Sequence, residues 1–420
     1  MTGPESGAAT REVLDSTASL SSGAALGEPP AGPPDGTNAT LPFAAFLGVA
    51  VAAIGGPLAL TAVYVPAVVA DVAGSAGLVA ILGVVAFTVP VVIWLRYSRH
   101  VAGPGGLTAF VEQAAGHRVA LVQASVWTLS YGLYLLYTSA YVVYDVLPAV
   151  VPGVAAYQPA LELLLPAAIA AVVLAPGRVG VAVVGALAAA QVALVVLLVA
   201  LTLGSDAPAG AFTTPVPAGE AALAAGNVAV LYVCGSLPLF LGGEVRRRHT
   251  VRRGIGAAYA LVAALVVLAV VPFASNPAFT RAEIPGMAFA RVTGGPAAAV
   301  VIGLGVAASI VGVMMVEFLA VTRLVHAMTG RSIRSVGLVL ATVLVAAGPV
   351  SLIDPDRFYL TLLRPSLVAL WVAQLIVVVV YPRFAARHGR LRVGDLALSA
   401  GAVVVMGFGL YSSVANQVAT

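Results

Sequence analysis

Glu317 is the one acid in the apolar run AAAVVIGLGVAASIVGVMMVEFLAV. Burying a carboxylate charge in such surroundings is costly, so an ionisable residue there marks a functional position by default. Two roles are open to it: carrying a coupled proton, or a plain ion pair with an arginine of the loop that follows. A second set is Tyr131, Tyr134, Thr138 and Tyr141, whose offsets of 3, 7 and 10 place them on one face of a helix. Tyrosine concentrates at membrane interfaces. Tyr131 and Tyr134, in mid-run, therefore suggest either the wall of a polar cavity that meets substrate or a core stripe bonded to neighbouring helices.

Other chemistry is excluded by what the chain lacks. Cys234 is the single cysteine, so no disulfide framework and no Cys/His metal spacing exists, and no cofactor or metal is expected. The five histidines (His100, His117, His249, His326, His388) fall in or beside arginine-bearing loops. No HExxH, GxSxG or GxxxxGK[ST] motif occurs, which argues against an enzyme and against an ATP-driven pump.

The elements that must hold these residues are membrane helices. Of 420 residues 60% are hydrophobic and 9% charged, with a mean hydropathy of +1.03, whereas a soluble domain carries about 25% charge. Residues 1–42 read as a disordered tail, Gly/Ala/Ser/Pro-rich with five acids against one base and no signal-peptide pattern. From Phe43 onward eleven apolar segments are long enough to cross a bilayer, which takes about 20 helical residues each. The fold class expected is an all-α integral membrane protein.

All 21 basic residues are arginine. With the N-terminus inside, alternate loops collect sixteen of them, as cytoplasmic loops do, and the C-terminus lies outside. Arginines so placed set membrane orientation and meet lipid headgroups; they do not form a nucleic-acid face. Glu244 and Arg248, four apart, are spaced for a local ion pair.

Helix breakers in mid-span are tolerated only where protein or a watery cavity satisfies the freed backbone groups. Gly55-Gly56-Pro57 falls in the middle of the first span, and Gly235-Ser236-Leu237-Pro238 in the outer-to-middle part of the sixth. Breaks at matching places in two halves point to a transporter of inverted repeats. Five helices per repeat, about 43–203 and 223–382, plus an extra helix at about 393–415 give eleven within a transmembrane domain of 43–415. The amides of Gly55 and Gly56 would suit a substrate carboxylate, and carbonyls near Cys234 and Gly235 an ammonium or cation. The plain alternative is that these residues serve only close packing and kinks.

Three segments carry a family resemblance. Gly103-Pro104-Gly105-Gly106-Leu107-Thr108-Ala109-Phe110-Val111-Glu112-Gln113-Ala114-Ala115-Gly116 resembles the segment after the second helix of amino acid–polyamine–organocation (APC) superfamily permeases. Glu244-Val245-Arg246 with its arginine cluster resembles the segment after their sixth helix, and Thr322 to Gly330 the segment after their eighth. The resemblance implies a five-plus-five inverted repeat with substrate near the midplane between broken helices 1 and 6 and helices 3 and 8. It also implies amino acids or related amines as substrates. Arg96 stands where many relatives have a glutamate, and Ser236, Leu237 and Pro238 replace the usual aromatic and glutamate. Sodium coupling in this fold would use helix 1 carbonyls and helix 8 hydroxyls, for which Ser309 and Thr322 are the candidates. A helix 5 lysine is absent, and Gln191 is the amide there.

The expected function is a secondary transporter in a bacterial inner membrane, moving an amino acid or amine by alternating access, with a proton as candidate partner. A neutral substrate is favoured because no acid adjoins either break in the sequence. The alternative is a transporter-like sensor that binds its ligand without moving it.

Overall fold

A computed structural model describes residues 41–203, 212, 216–245, 247–273 and 277–415. The tail expected over 1–42 thus lies outside the described residues except for its last two. Eleven helices among the described residues are long and apolar enough to cross a membrane. They are α1 (Phe43–Val68), α2 (Ala70–Tyr97), α3 (His117–Val150), α4 (Pro152–Val173), α5 (Val179–Thr202), α6 (Ala218–Glu244), α7 (Arg248–Val270), α8 (Pro285–Thr329), α9 (Ile333–Leu352), α10 (Pro355–Arg387) and α11 (Val393–Ala415).

Small residues let the central helices approach. A Cβ on Gly48 of α1 would lie 3.0 Å from the Gly185 Cα of α5, and one on Gly305 of α8 would lie 2.4 Å from Leu194 of α5. This is the contact that small residues permit between membrane helices. α3 is latched to α10 by a reciprocal pair: Ser130 Oγ donates to the Ser366 carbonyl at 2.8 Å, and Ser366 Oγ to the Ser130 carbonyl at 2.9 Å. α8 as a continuous rod would be far too long; Gly295, at φ 84°, kinks it just before Pro296, so the segment from Pro296 onward crosses the core.

The three segments that carry the family resemblance converge at the end of the bundle bearing the arginine loops. The short helix Gly106–Ala115 sits against α6, where a Cβ on Gly106 (φ 51°) would come within 2.5 Å of Phe240. Gly242 and Gly243 meet the backbone of Gly103 and Pro104. Arg323 Nε donates to Glu244 Oε1 at 2.6 Å. The local Glu244 to Arg248 pair expected from spacing is not the one made: the helix stops at Glu244 and Val245 is extended (φ −100°, ψ 137°), so the four-residue helical neighbour relation does not hold. The Glu244 carbonyl also accepts from Leu41 N at 2.7 Å.

α11 leans on α10 and α2. Arg96 pairs with Asp395, Tyr381 OH donates to Asp395 Oδ1 at 3.1 Å, and Trp371 Nε1 donates to Ser413 Oγ at 3.1 Å.

Candidate functional site

The first break is built by Gly55 and Gly56, both left-handed at φ 60° and 63°. Glycine adopts this region at no steric cost. Helix then restarts at Pro57, whose missing N–H is no loss at a first helical position. A Cβ at Gly56 would fall 2.4 Å from Ser309 Oγ and 2.9 Å from the Ser309 carbonyl, so α8 lies directly against the break. Ser309 Oγ accepts from Ala59 N at 3.1 Å and donates to Gln191 Oε1 at 2.8 Å, tying α1, α8 and α5 in one polar knot. Beyond it Leu60–Tyr64 forms a π-helical turn, an irregularity frequent at functional sites, which ends on Tyr64.

The amides expected to receive a carboxylate are already bonded. Gly55 N donates to the Ala53 carbonyl at 2.8 Å and Gly56 N to the Ala52 carbonyl at 3.2 Å. Two left-handed residues in succession fold the chain back on its own last turn, a consequence that residue type alone does not reveal.

The second break lies slightly earlier than the glycine and proline suggest. The α-helical part of α6 ends at Val230, Leu231 and Tyr232 turn, and Val233–Glu244 continues as a 3₁₀ helix of 12 residues. Such runs seldom exceed about four residues. Gly235 does not have positive φ; its role is close approach, since a Cβ there would meet Ile54 of α1 at 3.3 Å. Gly235 N is taken by the Tyr232 carbonyl at 2.9 Å, and Ser236 Oγ donates to the Val233 carbonyl at 3.2 Å while accepting from Gln374 Nε2 of α10 at 3.0 Å. Gln374 is fully buried and its Oε1 has no partner among the described residues.

Tyr131 is sealed from solvent, and its OH donates to Cys234 Sγ at 3.9 Å, which joins α3 to the second break. Ring centroids run in a row along α3: Trp127 to Tyr131 at 4.2 Å, Tyr131 to Tyr134 at 5.9 Å and Tyr134 to Tyr137 at 4.9 Å. Tyr359 of α10 caps the row away from the arginine end, 5.4 Å from Tyr137 and 5.9 Å from Tyr141. Above that cap lies a small vestibule lined by Tyr141, Tyr144, Asp145, Asp356 and Tyr359.

Glu317 is completely buried, and neither carboxylate oxygen has a hydrogen-bond partner among the described residues. The following arginine, Arg323, is committed to Glu244, the Leu319 carbonyl and Thr322, so the ion pair weighed for Glu317 is not formed there. Ser309, Val313 and Glu317 follow at intervals of four along α8 and share a face. Val313 Cγ2 lies 3.2 Å from the Cβ position of Gly56, which places Glu317 about 6 Å further along the axis. Tyr64, Tyr131, Tyr134, Tyr137 and Cys234 are the titratable groups near it. An acid therefore does adjoin the breaks, brought there by α8 from more than 80 residues away in sequence.

No family model matches the chain, and no curated protein matches its sequence. Among solved structures it is similar to the crystal structure of MhsT in complex with L-phenylalanine, with a TM-score of 0.57 at 14% identity over 87% of this chain and 98% of that one. The shared feature is the fold. The chain has the five-plus-five inverted-repeat transporter fold with interrupted helices α1 and α6.

Gly55, Gly56, Pro57, Tyr131, Tyr134, Cys234, Gly235, Ser236, Ser309 and Glu317 thus gather around the two breaks. Tyr64, Tyr137, Tyr359 and Gln374 join the site without standing out in the sequence. Tyr64 lies seven residues after Pro57, a spacing that would have been informative had the π-helical turn been foreseeable. Tyr137, three residues after Tyr134, stands at the edge of the face shared by Tyr131 and Tyr134 and continues their row as the next helical neighbour.

Proposed function

We propose that this chain is a secondary transporter of the APC type, moving an amino acid or a related amine across the cytoplasmic (inner) membrane by alternating access about the breaks in α1 and α6. The observation that carries this reading is a buried carboxylate without a partner among the described residues, Glu317, set beside two interrupted helices in a transporter fold. Tyr131, Tyr134, Cys234, Gly235 and Ser236 supply the wall on the α3 and α6 side, and Gly55, Gly56 and Pro57 the bend on the other. Glu317 takes the coupled proton. The Ser309 hydroxyl is used internally by Ala59 and Gln191, which argues against sodium at that point. A neighbour of the same fold holds L-phenylalanine, in keeping with an amino acid or amine here. The arginine-bearing end faces the cytoplasm with the N-terminus, and the C-terminus faces outward.

Uptake of radiolabelled amino acids and amines into proteoliposomes, with a proton gradient, a sodium gradient or neither, tests this. Saturable uptake lost in Gly56→Leu is expected. Ligand binding without any uptake by folded protein would overturn it and favour a sensor.

A further inference from the structure

We infer that the ligand of this site is a small organic ammonium and that it exchanges with a proton on the Glu317 carboxylate; this rests on the transporter reading above and deepens it.

Three of the amides at the break are taken. Gly55 N, Gly56 N and Ala59 N are bonded to the Ala53 carbonyl, the Ala52 carbonyl and Ser309 Oγ. A zwitterionic ligand would bring a carboxylate to amides that are already used. The cation side is open in the opposite sense. Glu317 has two buried acceptor oxygens without donors, the chain has no lysine, and no ion pair reaches Glu317 among the described residues. The titratable groups near it are Tyr64 on α1, Tyr131, Tyr134 and Tyr137 on α3, and Cys234 on α6. None of these brings positive charge. An isolated carboxylate in such a place is neutralised or paired. Tyrosine ring faces attract an ammonium in addition to the carboxylate.

The step balances simply. In the empty site the carboxyl holds a proton. On loading, its O–H bond breaks, the proton leaves to the aqueous side that is open, and the carboxylate pairs with the ammonium of the ligand. Release on the other side runs the same step backwards, with a proton replacing the ammonium. No electrons move. One cation is traded for one proton, so the charge within the site is constant and exchange is electroneutral for a monovalent amine.

The test uses the full chain, purified in weakly buffered detergent solution, with calorimetry for binding and an indicator dye for protons. Propylammonium and L-phenylalanine are the probes. Propylammonium is expected to release about one proton per ligand bound and to bind about tenfold more weakly per unit fall in pH where the carboxyl is protonated. Glu317→Gln is expected to abolish the release. The wild-type proton count stands even if that variant folds poorly. L-phenylalanine binding without proton release, with propylammonium not binding, would overturn the inference and leave the transporter reading intact. Neither probe binding to protein with a normal unfolding transition would overturn both.

Discussion

Arg323 Nε donates to Glu244 Oε1 at 2.6 Å, and that bond takes up the arginine nearest in sequence to Glu317 on α8. It also clamps the end of α6 to α8 where the loop from α2 packs in. A partly buried pair of this kind couples its members by about 1 kcal/mol. Glu244→Gln and Arg323→Gln should each lower the thermal unfolding midpoint, and the double variant should fall short of the sum of the two. Additive losses in this thermodynamic cycle would contradict the clamp.

Gly56 cannot carry a side chain on two grounds, its left-handed φ and the proximity of Ser309. A left-handed non-glycine residue costs about 1 to 2 kcal/mol before any collision is counted. Gly56→Ala should therefore reduce ligand affinity more than tenfold while the protein still inserts and folds. Ser309→Ala leaves the Ala59 amide and the Gln191 carboxamide without a partner, a loss of about 1 to 3 kcal/mol. Unfolding midpoints and binding isotherms on the two variants check both statements.

Cys234 is the sole cysteine and is 4% exposed, so it serves as a built-in reporter of access to the second break. Tyr359 caps the tyrosine row that leads to it from the vestibule. Tyr359→Ala should raise the labelling rate of Cys234 by a small hydrophilic maleimide at least several-fold, and saturating ligand should suppress the increase. Unchanged labelling would place the path to the site elsewhere.

His100 lies outside the spans, with its ring 4.8 Å from that of His388. Partial burial, then His388, Arg248 and Arg99, lower its pKa from the ordinary 6.5. The folded chain thus binds this proton less readily than the unfolded chain. Stability from His100 is complete above pH 6.5 and is lost as pH falls below that value towards the lowered one. His100→Gln should flatten the acid side of the stability curve, measured as unfolding midpoints between pH 7.5 and pH 5 on the order of half-unit steps.

The helices were legible in the sequence because a bilayer demands long apolar runs, and the parity of the arginine loops checks the count. The first break was legible because two glycines loosen a helix in mid-span and the proline after them removes a donor. The second was misplaced by a few residues because Gly235 turned out to serve proximity to Ile54, while the turn itself falls on Leu231 and Tyr232, which carry no breaker signature. Glu317 was visible as an oddity, but its solitude was not, since that depends on Arg323 choosing Glu244 across helices. The bonded state of the Gly55 and Gly56 amides follows from two successive left-handed residues, a backbone property that composition does not encode.

The most direct measurement is a cryo-electron microscopy structure with a bound amine. Ligand density should lie between the two breaks, in contact with Tyr131 and Cys234, its nitrogen within hydrogen-bonding distance of a Glu317 carboxylate oxygen. Density confined to the vestibule at Asp145 and Asp356, with Glu317 still untouched, would contradict the site.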